Sequence, residues 1–240
     1  MTAATVPWTP GTRVLKPFGN AHPICRVYEM EALMRPDIVP GSVFPNYALP
    51  DTNGDVRLLS DIQGNDPMVL VLARESYSAK DQRQQAGLVE LWQEMKPGVG
   101  YCQLVTITTS DPQETLNYRN GVGAEWPFLS DPDRIIQRDL DIAEYTDPVH
   151  NQMVPHTIVL EPKLTVYRIY NGYWFFGRPT LEELRQDLRA LLRKQHQDWD
   201  LSDPEVRDAW ARGHLERFYP PELGWPADVA SRQGDNRGKA

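Results

Sequence analysis

The amino-acid sequence predicts an α/β domain whose mixed sheet is flanked by helices, and three observations support this fold class. Residues 68–73 form an uninterrupted apolar run, which is typical of a strand in the middle of a parallel sheet. Apolar residues at helical spacing follow that run, and a second apolar strand comes after them. The order then continues as helix, two strands and helix, and this alternation requires helices on both faces of the sheet.

The first half of the domain is predicted to contain a hairpin and a βαβ unit. Asn53-Gly54 lies between two strand-like segments, residues 44–49 and 55–59, and this dipeptide is a strong hairpin signal. After the apolar strand, a helix closing near Pro97 is predicted from the spacing of Leu88, Leu91, Trp92 and Met95. The strand that completes the βαβ unit is predicted at residues 104–108.

Two capping signals begin the later helices. Asp111 precedes a proline and is followed by Glu114, and Thr180 is followed by Glu183, so each pair predicts a helix start. An apolar stripe after Thr180 predicts that the last of these is a long closing helix. The remaining predicted elements are a short helix at residues 133–140 and an antiparallel pair at residues 157–160 and 165–170.

The composition divides the chain into three parts. Residues 1–39 are predicted to form an N-terminal arm with a short helix, because prolines and glycines interrupt the first 21 residues. Pro40-Gly41 marks the start of the main domain, predicted at residues 40–196. Residues 197–240 form a C-terminal extension, with a helix opening at Asp203-Pro204 and aromatic side chains that need burial. Because these aromatics require a surface to pack on, we expect a homodimer.

Charge and cysteine content exclude several function classes. The net charge of −8 argues against a nucleic-acid partner, and no apolar stretch is long enough to span a membrane. No secretory signal is visible, so a reducing cytoplasm is expected. Cys25 and Cys102 are predicted to be structural and unpaired. We predict no cofactor and no metal, since Glu144, Asp147 and His150 match no familiar ligand spacing.

Several short motifs occur in an order that resembles a known family. They are PGSVFP at residues 40–45, the apolar strand leading to Arg74, WPFLSDPD at 126–133, VPHT at 154–157, NGYW at 171–174 and GRP at 177–179. Together they resemble the alkyl hydroperoxide reductase and thiol-specific antioxidant family, which is the peroxiredoxin-like branch of the thioredoxin fold. The resemblance covers residues 40–195 and implies a thioredoxin-like α/β domain that commonly pairs into dimers.

The active turn departs from the pattern of that family. Relatives typically carry Arg-Gly-x-x-Cys-Pro; here Arg74 matches, but Glu75 replaces the glycine, Ser78 the cysteine and Ala79 the proline. Peroxide reduction requires a thiolate that is oxidised to a sulfenic acid, and a serine hydroxyl lacks the necessary acidity and polarisability. We therefore predict that thiol peroxidase chemistry is lost. Three clustered changes favour natural divergence, although a single Cys→Ser inactivation would leave the same residue at position 78.

Polar residues around the turn are candidates for a different chemistry. If Glu75 is partly buried, its pKa would rise toward the range useful for acid–base catalysis. His156 follows Pro155, and it would face the turn if this proline takes the place of the cis-proline of thioredoxin folds. The predicted catalytic residues are therefore Glu75, Ser78 and His156. The predicted substrate-binding residues are Arg74, Tyr77, Lys80 and Trp174.

Two functions remain open from the sequence. The leading hypothesis is non-redox acid–base conversion of a small polar or anionic molecule, and the alternative is a catalytically silent binding or regulatory protein. Each candidate residue also has a purely structural interpretation. Ser78 suits a helix cap, Glu75 suits a surface ion pair, and Arg74 suits a structural pair with a carboxylate. His156 suits a strand-edge histidine that is hydrogen-bonded to the backbone.

Overall fold

The computed structural model describes residues 34–96, 100–147, 149–197, 200 and 202–214. The predicted N-terminal arm and its short helix lie almost wholly outside these residues, as does the end of the C-terminal extension. Within the described part, the first elements are β1 (Ala48–Pro50), β2 (Val56–Leu58), α1 (Leu59–Gln63), β3 (Met68–Leu72), α2 (Ala79–Met95), β4 (Gln103–Thr108) and α3 (Pro112–Val122). They are followed by β5 (Phe128–Ser130), α4 (Ile135–Asp139), β6 (His156–Glu161), β7 (Thr165–Asn171), α5 (Leu181–Gln195) and α6 (Pro204–Ala211).

A five-stranded mixed sheet forms the centre of the fold. Its strand order is β5-β4-β3-β6-β7, with β3, β4 and β5 parallel and β6 and β7 antiparallel. The central position of β3 confirms the prediction from its apolar run, because all five of its residues are buried. The β1–β2 hairpin is also confirmed, although its strands are shorter than predicted. Leu59 was predicted to end a strand, but it begins α1 instead.

Alternate residues of β3 point into two separate cores. Leu70 and Leu72 pack with α1 and α4 on one face of the sheet, and the side chains there include Leu59, Ile62 and Ile136. Val69 and Val71 pack on the other face with α2, α3 and α5, where the side chains include Leu88, Trp126 and Leu188. Helices therefore cover both faces of the sheet, as predicted.

The predicted capping signals begin the helices as expected. Asp111 Oδ1 accepts a hydrogen bond from the Glu114 amide at 2.8 Å, and Thr180 with Glu183 forms a complete capping box. β5 was not predicted as a separate strand, because its three residues are too few to show a period. The described residues contain no cis peptide bond, so the bond before Pro155 is trans. No described helix is both long and apolar enough to cross a membrane.

Candidate functional site

The altered turn connects the end of β3 to the start of α2. Ser78 is the N-cap residue of α2, and its Oγ accepts a hydrogen bond from the Asp81 amide at 3.4 Å. A serine in this position satisfies one of the unpaired amides of the first helical turn. The hydroxyl that stands where the resemblance places a cysteine therefore has a structural role in this fold.

A buried carboxylate fixes the geometry of the turn. Asp81 is only 1% exposed, and its Oδ2 accepts a hydrogen bond from the Arg74 amide at 2.5 Å. Its Oδ1 forms an ion pair with the guanidinium of Arg178. Arg178 also donates to Gln84 Oε1 at 3.0 Å and to the Gly172 carbonyl at 2.9 Å. These bonds join the loop after β7 to α2 and to the turn.

The side chain of Arg74 is paired with a carboxylate. Its Nη2 lies 2.8 Å from Glu144 Oε2, and both side chains are largely buried. The guanidinium carbon also lies 5.8 Å from the centre of the Tyr173 ring. Arg74 Nε is buried and has no hydrogen-bond partner among the described residues. The positive charge of Arg74, which was predicted to bind an anionic substrate, is therefore neutralised by Glu144.

Glu75 has an unusual backbone conformation. Its φ of +102° lies in the left-handed region that L-residues other than glycine rarely adopt, and the family pattern places a glycine there. Glu75 Oε1 accepts a hydrogen bond from Thr109 Oγ1 at 2.9 Å. The strained backbone thus holds a carboxylate against the end of β4.

Glu75 lines a polar cleft of about 450 Å³ between the turn and α3. A second carboxylate, Glu114, lines it as well, and hydroxyl and amide groups come from Ser76, Gln82, Ser110 and Asn117. Tyr118 lines the same cleft, and its hydroxyl is buried without a hydrogen-bond partner among the described residues. Burial raises the pKa of Tyr118, so its hydroxyl keeps its proton. No lysine, arginine or histidine is among the residues that line this cleft.

His156 lies in the interior at the start of β6, opposite Leu72. Its Nδ1 is 2.9 Å from the Val154 carbonyl, and its Nε2 is buried without a partner in the described part of the chain. Burial lowers the pKa of His156 to about 4, so the imidazole is neutral near pH 7. The backbone hydrogen bond is the one expected for a structural strand-edge histidine. Neither ring nitrogen hydrogen-bonds to Glu75 or Ser78.

The other predicted binding residues lie on the outer side of the turn. Tyr77 stacks on His150, with ring centres 4.1 Å apart, and burial raises the pKa of its hydroxyl. Lys80 Nζ lies 4.3 Å from the centre of the Phe175 ring. Trp174 contacts Tyr173 edge to face. Lys80 and Trp174 line a groove that is distinct from the cleft at Glu75.

The structure therefore distributes the seven predicted site residues among several environments instead of gathering them in one pocket. Arg74 and Ser78 belong to the network that holds the turn, Glu75 belongs to the cleft, and His156 lies in the interior. The sequence reasoning assigned no role to several partners, namely Asp81, Thr109, Tyr118, Glu144 and Arg178. Arg178 lies in the GRP motif and Asp81 lies three residues after Ser78, so both carried a signal. Nothing in the sequence distinguishes Thr109 or Tyr118.

The described residues contain no group of three histidine, cysteine, aspartate or glutamate side chains placed to hold a metal ion. His150 instead pairs with Asp147, at 2.8 Å between Nδ1 and Oδ2. Cys102 is free and buried, and burial, together with the charge of Asp66, raises its pKa to about 12. Its predicted structural role is consistent with this, whereas Cys25 lies outside the described residues.

Comparison with known proteins relates this chain to peroxiredoxins. One solved structure with the same fold is peroxidoxin BcpB from Mycobacterium tuberculosis, with 17% identity, a TM-score of 0.54, and coverage of 63% of this chain and 97% of that chain. AhpC from Enterococcus faecalis matches with 12% identity, a TM-score of 0.55, and 66% and 95% coverage. A thiol peroxidase from Chromobacterium violaceum matches with 18% identity, a TM-score of 0.50, and 63% and 87% coverage. At these identities the likeness establishes the fold alone, and it confirms the predicted thioredoxin-like domain.

Sequence comparison identifies the family. No curated protein matches the chain. A model of the AhpC/TSA family matches residues 40–169, which is more than half of the 240 residues. The chain therefore belongs to the AhpC/TSA family.

Proposed function

We propose that this AhpC/TSA-family protein does not reduce peroxides through a thiol and instead binds a small polar molecule in the cleft beside the altered turn. The observation that carries the proposal is Glu75, whose side chain enters the cleft from a backbone conformation that strains every residue except glycine. Such strain, of about 1–3 kcal/mol, is often found at binding and catalytic sites. A carboxylate kept at this cost suggests that it contacts a ligand.

The surroundings of Ser78 support the loss of peroxidase chemistry. A peroxidatic cysteine needs a thiolate that cations or helix amides stabilise. Ser78 contains no sulfur, and its hydroxyl caps α2. Arg74, the nearby cation, pairs with Glu144, and both side chains are largely buried. Both features are compatible with a turn that no longer serves peroxide reduction.

The chemistry of the cleft favours a neutral or cationic ligand. Glu75 and Glu114 are both acidic, and the remaining polar lining is hydroxyl and amide. Tyr118 offers a buried hydroxyl that has no hydrogen-bond partner among the described residues, and buried polar groups are usually hydrogen-bonded. A polyol or an amine would satisfy these groups. An anionic ligand, which the sequence also suggested, is less compatible because no cation lines the cleft.

Acid–base conversion of the bound molecule is a second candidate function. Its specific support is that Glu75 Oε1 already hydrogen-bonds Thr109, so the carboxylate is held in one orientation. A fixed carboxylate within reach of a ligand can transfer protons. His156 is a weaker partner for it than the sequence suggested, because its Nδ1 is used by Val154 and its Nε2 is enclosed. In this version Glu75 acts without the histidine relay.

A ligand screen by thermal unfolding tests the binding proposal. Neutral, cationic and anionic metabolites are compared on the wild type, on Glu75→Gln and Tyr118→Phe, and on Glu90→Gln as an exposed control on α2. A ligand present at about 100 times its Kd contributes about 2.7 kcal/mol, or a rise in Tm of about 5–10 °C. We expect neutral or cationic hits that both cleft variants weaken and that Glu90→Gln leaves unchanged. Hits that the cleft variants do not affect would contradict the proposal.

Two further measurements separate the alternatives. Peroxide consumption by the wild type, with a thiol reductant, should stay at background, and sustained turnover would refute the loss of peroxidase chemistry. Ser78→Cys should gain little activity while Glu75 and Ala79 are retained; full activity would instead indicate a thiol peroxidase inactivated at one position. If a ligand is converted, Glu75→Gln should abolish turnover while Glu90→Gln preserves it.

The homodimer and the cytoplasmic location stay proposals from the sequence. Both are proposed from the composition of the chain and from its family resemblance. Sedimentation velocity of the full chain tests the first proposal. A monomer at every concentration would refute it.

A further inference from the structure

An aromatic groove lies between the first half of α2 and the segment formed by the loop after β7 and the start of α5. It has a volume of about 450 Å³, within the range of small-molecule sites. Trp174, Phe175 and Phe176 form one wall, and Leu181 contributes to the other side. We call these residues, together with Lys80 and Arg83 on α2, the aromatic groove. It shares no lining residue with the cleft at Glu75.

The aromatic wall is exposed to an extent that folding alone does not explain. Phe175 is 76% exposed and Phe176 is fully exposed, although each could contribute substantial hydrophobic stabilisation if buried. Phe176 also has a φ of +63°, which is an outlier for a bulky residue. Adjacent exposed aromatics, one of them in a strained backbone, are typical of a surface that contacts a ligand.

Two positive charges border this wall and have no compensating carboxylate. Lys80 Nζ lies 4.3 Å from the centre of the Phe175 ring, and Arg83 follows three residues later on the same side of α2. Neither forms an ion pair with a described residue, and no aspartate or glutamate lines the groove. A third cation, Arg178, is neutralised by Asp81. The groove therefore combines an apolar wall with two available cations.

A glycine of α2 lines the groove beside the start of α5. Gly87 lies on α2 opposite Leu181, and a Cβ added there would be 3.4 Å from Leu181 Cδ2. A glycine inside a helix lowers stability by about 1 kcal/mol relative to alanine. A glycine retained at such a position usually has a packing or functional reason. Here it lets Leu181, which also lines the groove, pack closely against α2.

We propose that the aromatic groove binds a soluble amphipathic anion. Its single anionic head contacts Lys80 and Arg83, and its hydrocarbon body lies against the aromatic wall and Leu181. Charge complementarity selects the head, and burial of apolar surface supplies most of the affinity. A free molecule is favoured over a membrane lipid because the lining residues form a groove between α2 and the segment after β7, and not a flat surface. This inference is independent of the cleft at Glu75.

Isothermal titration calorimetry with decanoate tests the proposal on the full chain. Decylammonium serves as the probe with the opposite charge and acetate as the probe without a chain. The variants are the double change Lys80→Gln with Arg83→Gln, the filling change Gly87→Leu, and the control Lys163→Gln at the exposed turn between β6 and β7. Far-UV circular dichroism verifies that each variant is folded.

We expect saturable binding of decanoate to the wild type and to Lys163→Gln. The double variant should bind about tenfold more weakly, with a smaller dependence on salt, because two exposed ion pairs are lost. Gly87→Leu should abolish binding, because the added side chain would displace Leu181 from its place in the lining of the groove. Decylammonium and acetate should bind at least tenfold more weakly than decanoate.

Several results would overturn the inference. The first is the absence of saturable decanoate binding to the wild type. The second is equal binding of decylammonium, which would exclude a role for the cations. The third is unchanged binding in both the double variant and Gly87→Leu, which would place the site elsewhere. The fourth is binding of the protein to phosphatidylglycerol vesicles, measured by cosedimentation, that added decanoate does not reduce. That result would assign the surface to a membrane instead of a soluble anion.

Discussion

The strain at Glu75 predicts an unusual order of stability between two substitutions. Glu75→Gly and Glu75→Ala both remove the 2.9 Å hydrogen bond between Thr109 Oγ1 and Glu75 Oε1. The stability lost with this bond is therefore the same in both variants and cancels when they are compared. In the folded state, the two variants differ in how each residue tolerates a φ of +102°. Glycine adopts this conformation without steric cost, whereas alanine keeps the Cβ that causes the strain. Glycine should therefore give the more stable variant, the reverse of the usual order.

The expected difference follows from two opposing terms. A left-handed conformation costs an L-residue about 1–2 kcal/mol, and glycine avoids this cost. Glycine also increases the conformational entropy of the unfolded chain, which lowers stability by about 0.4–1 kcal/mol relative to alanine. The difference leaves Glu75→Gly more stable than Glu75→Ala by about 0.8 kcal/mol. For a chain of this length that corresponds to a rise in Tm of about 2–3 °C.

Urea unfolding followed by circular dichroism measures this difference. The matched control is Ser76, the next residue in the turn, which lacks a positive φ. At Ser76 the order should reverse, with Ser76→Ala more stable than Ser76→Gly by about 0.4–1 kcal/mol. If Glu75→Ala proves as stable as Glu75→Gly, or more stable, the turn does not hold a strained backbone. The functional argument from Glu75 would then lose its basis.

Three further predictions concern the groups around the site. Asp81→Asn should lower the free energy of unfolding by about 3–5 kcal/mol in urea titrations, because it leaves the Arg178 guanidinium buried without its counter-charge; a loss below about 1 kcal/mol would contradict this. His156 has a pKa of about 4 in the folded state and 6.5 in the unfolded state, so unfolded chains bind more protons between these values. Stability should therefore fall by up to about 3 kcal/mol as pH drops from 6.5 to 4, and His156→Asn should lose this part of the pH dependence. In a Cys25→Ser background, Cys102 should react with a disulfide reagent about a thousandfold more slowly when folded than in urea, since its thiolate is suppressed; equal rates would show an accessible thiol.

The fold could be predicted from the sequence wherever local signals agreed with tertiary structure. The apolar run of β3, the hairpin glycine and the capping residues Asp111 and Thr180 each specify backbone geometry by themselves. β5 was missed because three residues cannot establish a period, and its position follows from pairing with β4. The whole of α1 was missed for a related reason, because its five residues are too few to establish a period. A buried leucine fits a strand and a helix equally well, so the sequence around Leu59 did not distinguish the end of a strand from the start of a helix.

The candidate site was harder to predict because it depends on contacts between distant segments. Arg74 was assigned to a substrate, but Glu144 reaches it from the loop before β6 and neutralises it. His156 was predicted to face the turn, but its ring is buried and its Nδ1 lies 2.9 Å from the carbonyl of Val154, just before β6. Glu75 was identified by its departure from the family pattern. Its strain could not be inferred, since it depends on the backbone path from β3 to α2.

The anchors of the turn explain how the fold can persist without a cysteine at position 78. Asp81 binds the Arg74 amide on one side and Arg178 on the other, and Glu144 holds the Arg74 side chain. None of these bonds involves the side chain of Ser78, which contributes only an N-cap of about 1 kcal/mol. The geometry of the turn therefore does not require a thiol at position 78. The carboxylate of Asp81 also joins the backbone next to Glu75 to the loop that forms one wall of the aromatic groove. Both proposed binding sites therefore depend on the buried ion pair between Asp81 and Arg178. Neither depends on the residue at position 78, where the family carries its catalytic cysteine.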